Sequence, residues 1–289
     1  MTGVIKELLA LLDLEPLEVN LFRGQSYNYF GKNAFGGQVL GQALVAAGRT
    51  VENGHLAHSL HAYFLRPGDP EAPIVYSVER VRDGRSFTTR TVKAVQHGEI
   101  IFTMMASFAV AEDGFDHQFP MPEAPAPETL ESELDLRRRL ALQLPESQRH
   151  YLEMERPIEL RPVDPLDPMN LEAREPFRAH WMRAQDRLPD DPFLHQCVLA
   201  FASDFAFMGT AMLPHKAHFF QPWMQCASID HAMWFHRPFR IDDWLLYSMD
   251  APSASSAKGL NRGLIHTRDG VLVASTAQEG LMRQRPRKA

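Results

Sequence analysis

The sequence predicts an α+β protein made of two tandem copies of one unit, each a helix followed by its own antiparallel meander. Three observations predict it. Tyr63-Phe64-Leu65-Arg66-Pro67 recurs as Trp234-Phe235-His236-Arg237-Pro238, an offset of 234 − 63 = 171 positions, and Tyr76-Ser77 recurs at that offset as Tyr247-Ser248. A polar-Gly turn, His97-Gly98, recurs one residue out of step as Asp269-Gly270. The offset far exceeds a solenoid period of roughly 20–50 residues, and 289 residues suit two domains of ~150 each. A duplicated fold often keeps one site and lets the other decay, so the question is which copy carries chemistry.

The elements follow in order. Val4, Ile5, Leu8, Leu9, Leu11 and Leu12 recur at helical spacing, which predicts an amphipathic helix over 3–13. A short strand is expected around 18–23. The stretch 35–47 is helical in length and pattern but crowded with Gly and Ala. Interior Gly costs a helix about 1 kcal/mol relative to Ala, so a close approach, of a wrapped sheet or of a ligand to the first turn, is expected to compensate. Strands are predicted at 58–66, 72–82, 86–97 and 99–110, separated by Pro-Gly-Asp, Arg-Asp-Gly-Arg and His-Gly-Glu turns. The Pro- and Glu-rich run 111–135 reads as a linker, followed by a basic helix over 136–144 that ends at Pro145.

The second copy opens near Ile158, with a strand around 180–184. Asp191-Pro192 supplies an N-cap and a proline at the first helical position, and the helix is expected to run through Met212. Strands at 224–236, 244–250, 256–267 and 271–283 close the chain. The division is 1–112, a linker at 113–150, and 151–289.

Bulk properties exclude some functions. Hydrophobic residues make up 45% and charged residues 23%, ordinary for a globular protein. The net charge of −6 argues against a nucleic-acid binder, which needs a basic stripe. Cys197 and Cys226 read as thiols in a reducing compartment. No apolar run reaches the length of a membrane span, the N-terminus does not read as a signal peptide, and the C-terminus is not a Ser-Lys-Leu address. A cytoplasmic location is the expectation.

Asp204 is the sharpest chemical observation. On a continuous helix its neighbours three and four positions away are Ala200, Phe201, Phe207 and Met208, so its carboxylate faces the core. Such burial raises a carboxyl pKa and makes a better base, although a buried Asp that ties down a loop reads the same way. The first-copy helix has no equivalent carboxylate in 43–49. Ser228 and Gln278 lie on apolar strands with a length and pattern that would let them pack over the second helix. From spacing alone each is more often a satisfied interior polar group than a site residue. His55, His58 and His61 have a metal-like spacing, but i and i+3 on a strand point to opposite faces, so no metal is expected. Gly-x-Ser-x-Gly, Gly-x-Gly-x-x-Gly and P-loop signatures are all missing from the sequence.

Several long motifs carry a family resemblance. Leu21-Phe22-Arg23-Gly24-Gln25, Phe35-Gly36-Gly37-Gln38-Val39, His58-Ser59 with 63–68, and 229–238 together resemble the type II acyl-CoA thioesterases of the TesB family, and the likeness runs nearly end to end. It implies a double hotdog fold, in which each antiparallel sheet wraps a central helix. It implies hydrolysis of acyl-CoA thioesters to free acid and CoA, without metal or other cofactor, by a catalytic set that carries over onto Asp204, Ser228 and Gln278. Ser228 stands where the family more often has Thr. The resemblance also implies a homo-oligomer, dimer or tetramer, and gives His58 a claim to line the substrate pocket. Two other readings stay open. One is a hotdog enoyl-CoA hydratase, which pairs Asp with His, although His195 lies nine residues from Asp204. The other is a non-catalytic acyl-CoA-binding module.

Overall fold

The computed structural model describes residues 1–285 apart from 30–31, 53, 145, 147–148 and 220. The first half opens with helix α1 (Gly3–Leu12), whose Ile5, Leu8, Leu11 and Leu12 are buried. Where one strand was expected there is a hairpin, β1 (Glu15–Glu18) and β2 (Leu21–Gly24). Its turn carries no Gly or Pro to announce it. Helix α2 (Gly36–Gly48) follows, then β3 (Leu56–Phe64), β4 (Ile74–Asp83), β5 (Phe87–Gln96) and β6 (Glu99–Ala109). The β5–β6 turn places both His97 and Gly98 at positive φ, the twist that suits a two-residue hairpin.

The 121–130 stretch of the linker is tied to the sheet. Trp181 Nε1 donates to the Pro125 carbonyl at 2.8 Å, and Arg161 Nη1 donates to the Pro127 carbonyl at 2.9 Å. Met121, Ala124 and Leu130 cover Trp181, Trp244 and Leu246 on the sheet face turned away from the helices. Helix α3 (Glu133–Ala141) is capped by Ser132 and stops earlier than expected, and α4 (His150–Glu153) follows. Pro145, expected to end the basic helix, lies outside the described residues.

The second half has β7 (Ile158–Pro162), β8 (Phe177–Ala184), α5 (Pro192–Ser203), β9 (Met224–Ser228), β10 (Asp230–Phe235), β11 (Leu245–Ser255), β12 (Lys258–Thr267) and β13 (Leu272–Gln284). Asp191 caps α5 by accepting from the Phe193 N–H, with Pro192 in the first turn. The helix does not reach Met212. It ends at Ser203 with Asp204 as its C-cap, Ala206 turns to φ 61°, and a 3-10 segment Met208–His215 follows. Short polar side chains at 203–204 compete for backbone hydrogen bonds and favour a helix end. The stretch Pro192–His215 is apolar enough to cross a membrane, with a mean hydropathy of 1.5, but it is 78% buried as the core of the second half. β11 runs five residues past its expected end because Ser256 and Ala257 both take positive φ, a tight turn with no glycine to signal it.

Among the described residues these strands form one sheet, in the order β1-β2-β4-β5-β6-β3-β10-β13-β12-β11-β8-β7, with β9 also on β13. From the β3/β10 pair outward the two halves mirror one another strand for strand. The two strands that carry the repeated motif are therefore antiparallel neighbours at the centre, with Tyr63 opposite Asp230 and Ser59 opposite Trp234. Each half-sheet wraps its helix, the double hotdog arrangement.

The small residues of α2 serve neither of the two expected partners alone. They admit the other central helix. A Cβ on Gly37 would lie 2.3 Å from the Phe201 carbonyl oxygen, and one on Gly48 would lie 2.1 Å from the Phe193 ring. The two helices run antiparallel at backbone contact, so the start of α2 meets the end of α5.

Candidate active site

The end of α5 places Asp204 beside the first turn of α2. Phe35, the N-cap of α2, gives no side-chain cap. The Gly37 N–H instead donates to the Asp204 carboxylate, so a side chain from the second half satisfies an unpaired helix donor of the first. A Cβ on Gly36 would stand 2.7 Å from Asp204 Oδ2.

The other carboxylate oxygen faces the sheet. Gln278 Nε2 donates to Asp204 Oδ1 at 2.8 Å, and the Ser228 hydroxyl points to the same oxygen at 3.5 Å. The two partners themselves lie 3.2 Å apart. Their strands explain the meeting, since Ser228 pairs with Gly280 across β9 and β13, two residues beyond Gln278. Asp204 keeps a partly accessible edge. Burial is the main influence on its pKa and pushes it up to about 6, against the hydrogen bonds from Gln278, Gly37 and Ser228, which lower it.

A second layer holds Gln278 in place. Its Nε2 also lies 3.2 Å from His231 Nδ1, while His231 Nε2 lies 3.0 Å from the Ser203 hydroxyl, which in turn donates to the Ala200 carbonyl. With Gln278 donating, His231 Nδ1 is the acceptor and Nε2 carries the hydrogen. His231 is fully buried, and burial drops its pKa to about 3, so it stays neutral. His231 lies within the 229–238 motif, with nothing in its spacing to mark a role. Its signal was the alternation of β10, which turns His231 inward with Met233 and Phe235.

The structure thus brings Asp204, Ser228 and Gln278 together, and it does not bring His58 to them. The His58 ring bonds the Ser107 hydroxyl at 2.8 Å and stacks edge-on against Phe87. His195 is equally remote, near the start of α5, where its Nδ1 accepts from the Ile241 N–H at 3.3 Å. Among the described residues no group of three His, Cys, Asp or Glu side chains is disposed to hold a metal.

A cleft of about 240 Å³ opens beside the cluster, and Gly36, Phe64, Arg66, Ile101, Cys226 and Ser228 contribute to its walls. Arg66 of the repeated motif donates to the Ile100 carbonyl at 2.7 Å, and its mate Arg237 donates to the Leu272 carbonyl at 2.9 Å. The repeated arginine therefore ties the same two strands in both halves. A roomier cleft of about 900 Å³ lies between residues 112–119 and His236-Arg237, with no member of the cluster in its walls.

The first half lacks the equivalent groups. The repeat places Ala57 where Ser228 stands. Ala62 pairs with Met104, and its repeat mate Met233 pairs with Thr276, so Ala106 stands where Gln278 does. Arg49 takes the helix C-cap held by Asp204 in the second half.

The fold and the cluster define a double hotdog protein in which the Asp204, Ser228 and Gln278 cluster of the second half meets the central helix of the first. Comparison with known proteins agrees. A profile for acyl-CoA thioesterases matches residues 148–281, and one for the acyl-CoA thioesterase N-terminal domain matches 25–109. Human acyl-coenzyme A thioesterase 8 is 45% identical over 288 residues, covering 96% of this chain and 88% of the human protein. Acyl-CoA thioesterase 2 of Haemophilus influenzae is 41% identical, covering 98% and 99%. The crystal structure of acyl-CoA thioesterase II TesB2 from Mycobacterium marinum superposes with a TM-score of 0.77 at 44% identity, covering 96% and 98%. The chain belongs to the TesB-type acyl-CoA thioesterase family.

Proposed function

We propose that this chain hydrolyses acyl-CoA thioesters to free acid and CoA, using a water activated by Asp204 and oriented by Ser228 and Gln278. The observation that carries this reading is the Asp204 carboxylate, pushed up to about 6 and hydrogen-bonded by Gln278 and Ser228 beside an open cleft. Such a group is ionised at neutral pH and still basic enough to accept a proton. The names of the relatives supply acyl-CoA as the substrate class.

Water is the nucleophile in this reading. Cys226 borders the cleft, but burial pushes its thiol up to about 11, which leaves little thiolate at neutral pH. Gln278 is fully buried and acts by fixing the Asp204 carboxylate, to which its Nε2 donates at 2.8 Å. The Ser228 hydroxyl supplies a second anchor, and the gain is one of orientation. The water oxygen adds to the thioester carbonyl as Asp204 takes its proton. The tetrahedral intermediate then breaks its C–S bond, and the proton passes from Asp204 to the departing sulfur. Acid and CoA thiol are the balanced products.

Thiol detection of released CoA across an acyl-chain series tests the reading. Asp204→Asn is expected to lower turnover at least ~100-fold, the lower range for a general base, with the fold intact. Near-normal turnover by folded Asp204→Asn protein would remove Asp204 from the mechanism. Acyl-CoA binding by the wild type with no CoA release would instead favour a binding module.

A further inference from the structure

A third cleft, of about 160 Å³, has Phe205 and Ala206, the two residues after Asp204, in its walls. Leu136 and Leu140 of α3, Leu160 of β7 and Phe205 give it apolar walls. Its charged groups are Arg137, Arg156, Arg178 and Glu133, and it also has two histidines, His180 and His218. Burial holds His180 at about 3 and His218 at about 4, so both are neutral. Three guanidinium groups against one carboxylate leave the lining with a charge of 3 − 1 = +2.

Two of those arginines are committed. Arg137 and Arg156 each bridge Glu133 at 3.0 Å, and Arg137 also donates to the Leu152 carbonyl at 2.7 Å. Arg178 is different. Asp164, the other carboxylate that acts on it, is bridged by Arg174 at 2.8 Å. Among the described residues the hydrogen bond of Arg178 is a long one, 3.4 Å from Nη1 to the Ala206 carbonyl. A guanidinium carries five donors. Arg178 is half-buried, with donors still open toward solvent, and a carboxylate engages a guanidinium through two parallel bonds.

We propose that this cleft binds a short- to medium-chain aliphatic carboxylate, with the carboxylate on Arg178 and the chain along Leu136, Leu140 and Phe205. It is a site separate from the thioester cleft, with which it shares no wall residue. The cleft is small against the roughly 300–1,000 Å³ of a drug-sized site, which sets the short chain. The ligand is of the same chemical class as the acid that hydrolysis releases, but binding is read directly and does not depend on turnover.

Calorimetric titration of the full chain with sodium octanoate, and with 1-octanol as the neutral control, tests the proposal. Octanoate is expected to bind saturably and at least ~10-fold more tightly than octanol, in line with a charge-assisted pair. Arg178→Met should remove that preference, and Leu136→Trp, which adds bulk to an apolar wall of the cleft, should block both ligands. Asp204→Asn should bind octanoate like the wild type, so failure of the hydrolytic reading leaves this result intact. Equal binding of octanoate and octanol by the wild type overturns the proposal, as does octanoate affinity unchanged in Arg178→Met. If Arg178→Met does not fold, undiminished octanoate binding by Leu136→Trp overturns it.

Discussion

Asp204 is held at an energetic cost that its proposed chemistry needs. Its ordinary pKa of 3.8 rises to about 6, and at 1.36 kcal/mol per unit that is about 3 kcal/mol of disfavoured charge. The sign follows from proton binding. Between the two values the folded state binds more protons than the unfolded chain, so the stabilising contribution is complete below pH 3.8 and is lost as pH rises through about 6. Ionised Asp204 therefore lowers stability at pH 8. Asp204→Asn, which cannot ionise, should gain up to about 3 kcal/mol there, with the gain vanishing near pH 4. Urea melts at the two pH values measure it, and an equal gain at both would place the cost elsewhere. The same ionisation sets the acid limb of wild-type activity, which should fall tenfold per unit below about pH 6 and stay flat above it. His231, near 3, and Tyr247, pushed well above its ordinary 10 by burial, do not titrate in that window. Sequence could expose the apolar neighbours Ala200 and Phe201. It could not expose Gly37, 167 positions earlier (204 − 37), whose N–H reaches the same carboxylate only through the crossing of two helices.

At the level of elements, the start of α2 is as much a part of the site as the end of α5. Gly36 leaves room for Asp204 Oδ2 and for the Phe64 ring, whose atoms would stand 3.1 Å from an added Cβ. Its φ is not in the left-handed region, so alanine fits the backbone and improves helix propensity by up to about 1 kcal/mol. Gly36→Ala should therefore keep or raise the melting temperature while lowering kcat on the order of 100-fold, the loss expected from ~1 Å of displacement at a reacting group. Lost stability with kcat preserved would show that Asp204 does not need that space. Helices, strands and the β5–β6 turn were legible because period and turn chemistry are local. Some boundaries were not. The β1–β2 turn and the Ser256-Ala257 turn use residues that do not advertise positive φ or reversal, and the end of α5 lies inside an apolar run whose periodicity continues past Ser203 into the 3-10 segment.

Across the whole molecule the duplication supplies one continuous sheet and one helix pair from what would otherwise be two subunits. The β3/β10 seam and the α2/α5 contact hold the halves together, and the site uses both, since the Asp204 of one half caps the helix of the other. The halves differ in their site groups rather than in shape. Ala57, Ala106 and Arg49 stand in the first half where the second has a hydroxyl, an amide and a carboxylate. The linker adds contacts to the sheet, but its stretch around Gly114-Phe115 is fully exposed. The covalent link is thus separable from the interface, because burial at the seam, and not chain connectivity, provides the attraction. Introducing a protease site at Gly114-Phe115 and cutting the folded protein should leave one particle at the mass of the intact chain, 32.8 kDa, or a whole-number multiple of it, with most of its thioesterase activity retained. Only denaturant should part the fragments, and activity should disappear with the parting. If the cut protein separates under native conditions, the linker and not the seam joins the halves. If it stays together but loses turnover, the strain of the tether, and not the docking of α2 on α5, sets the position of Asp204.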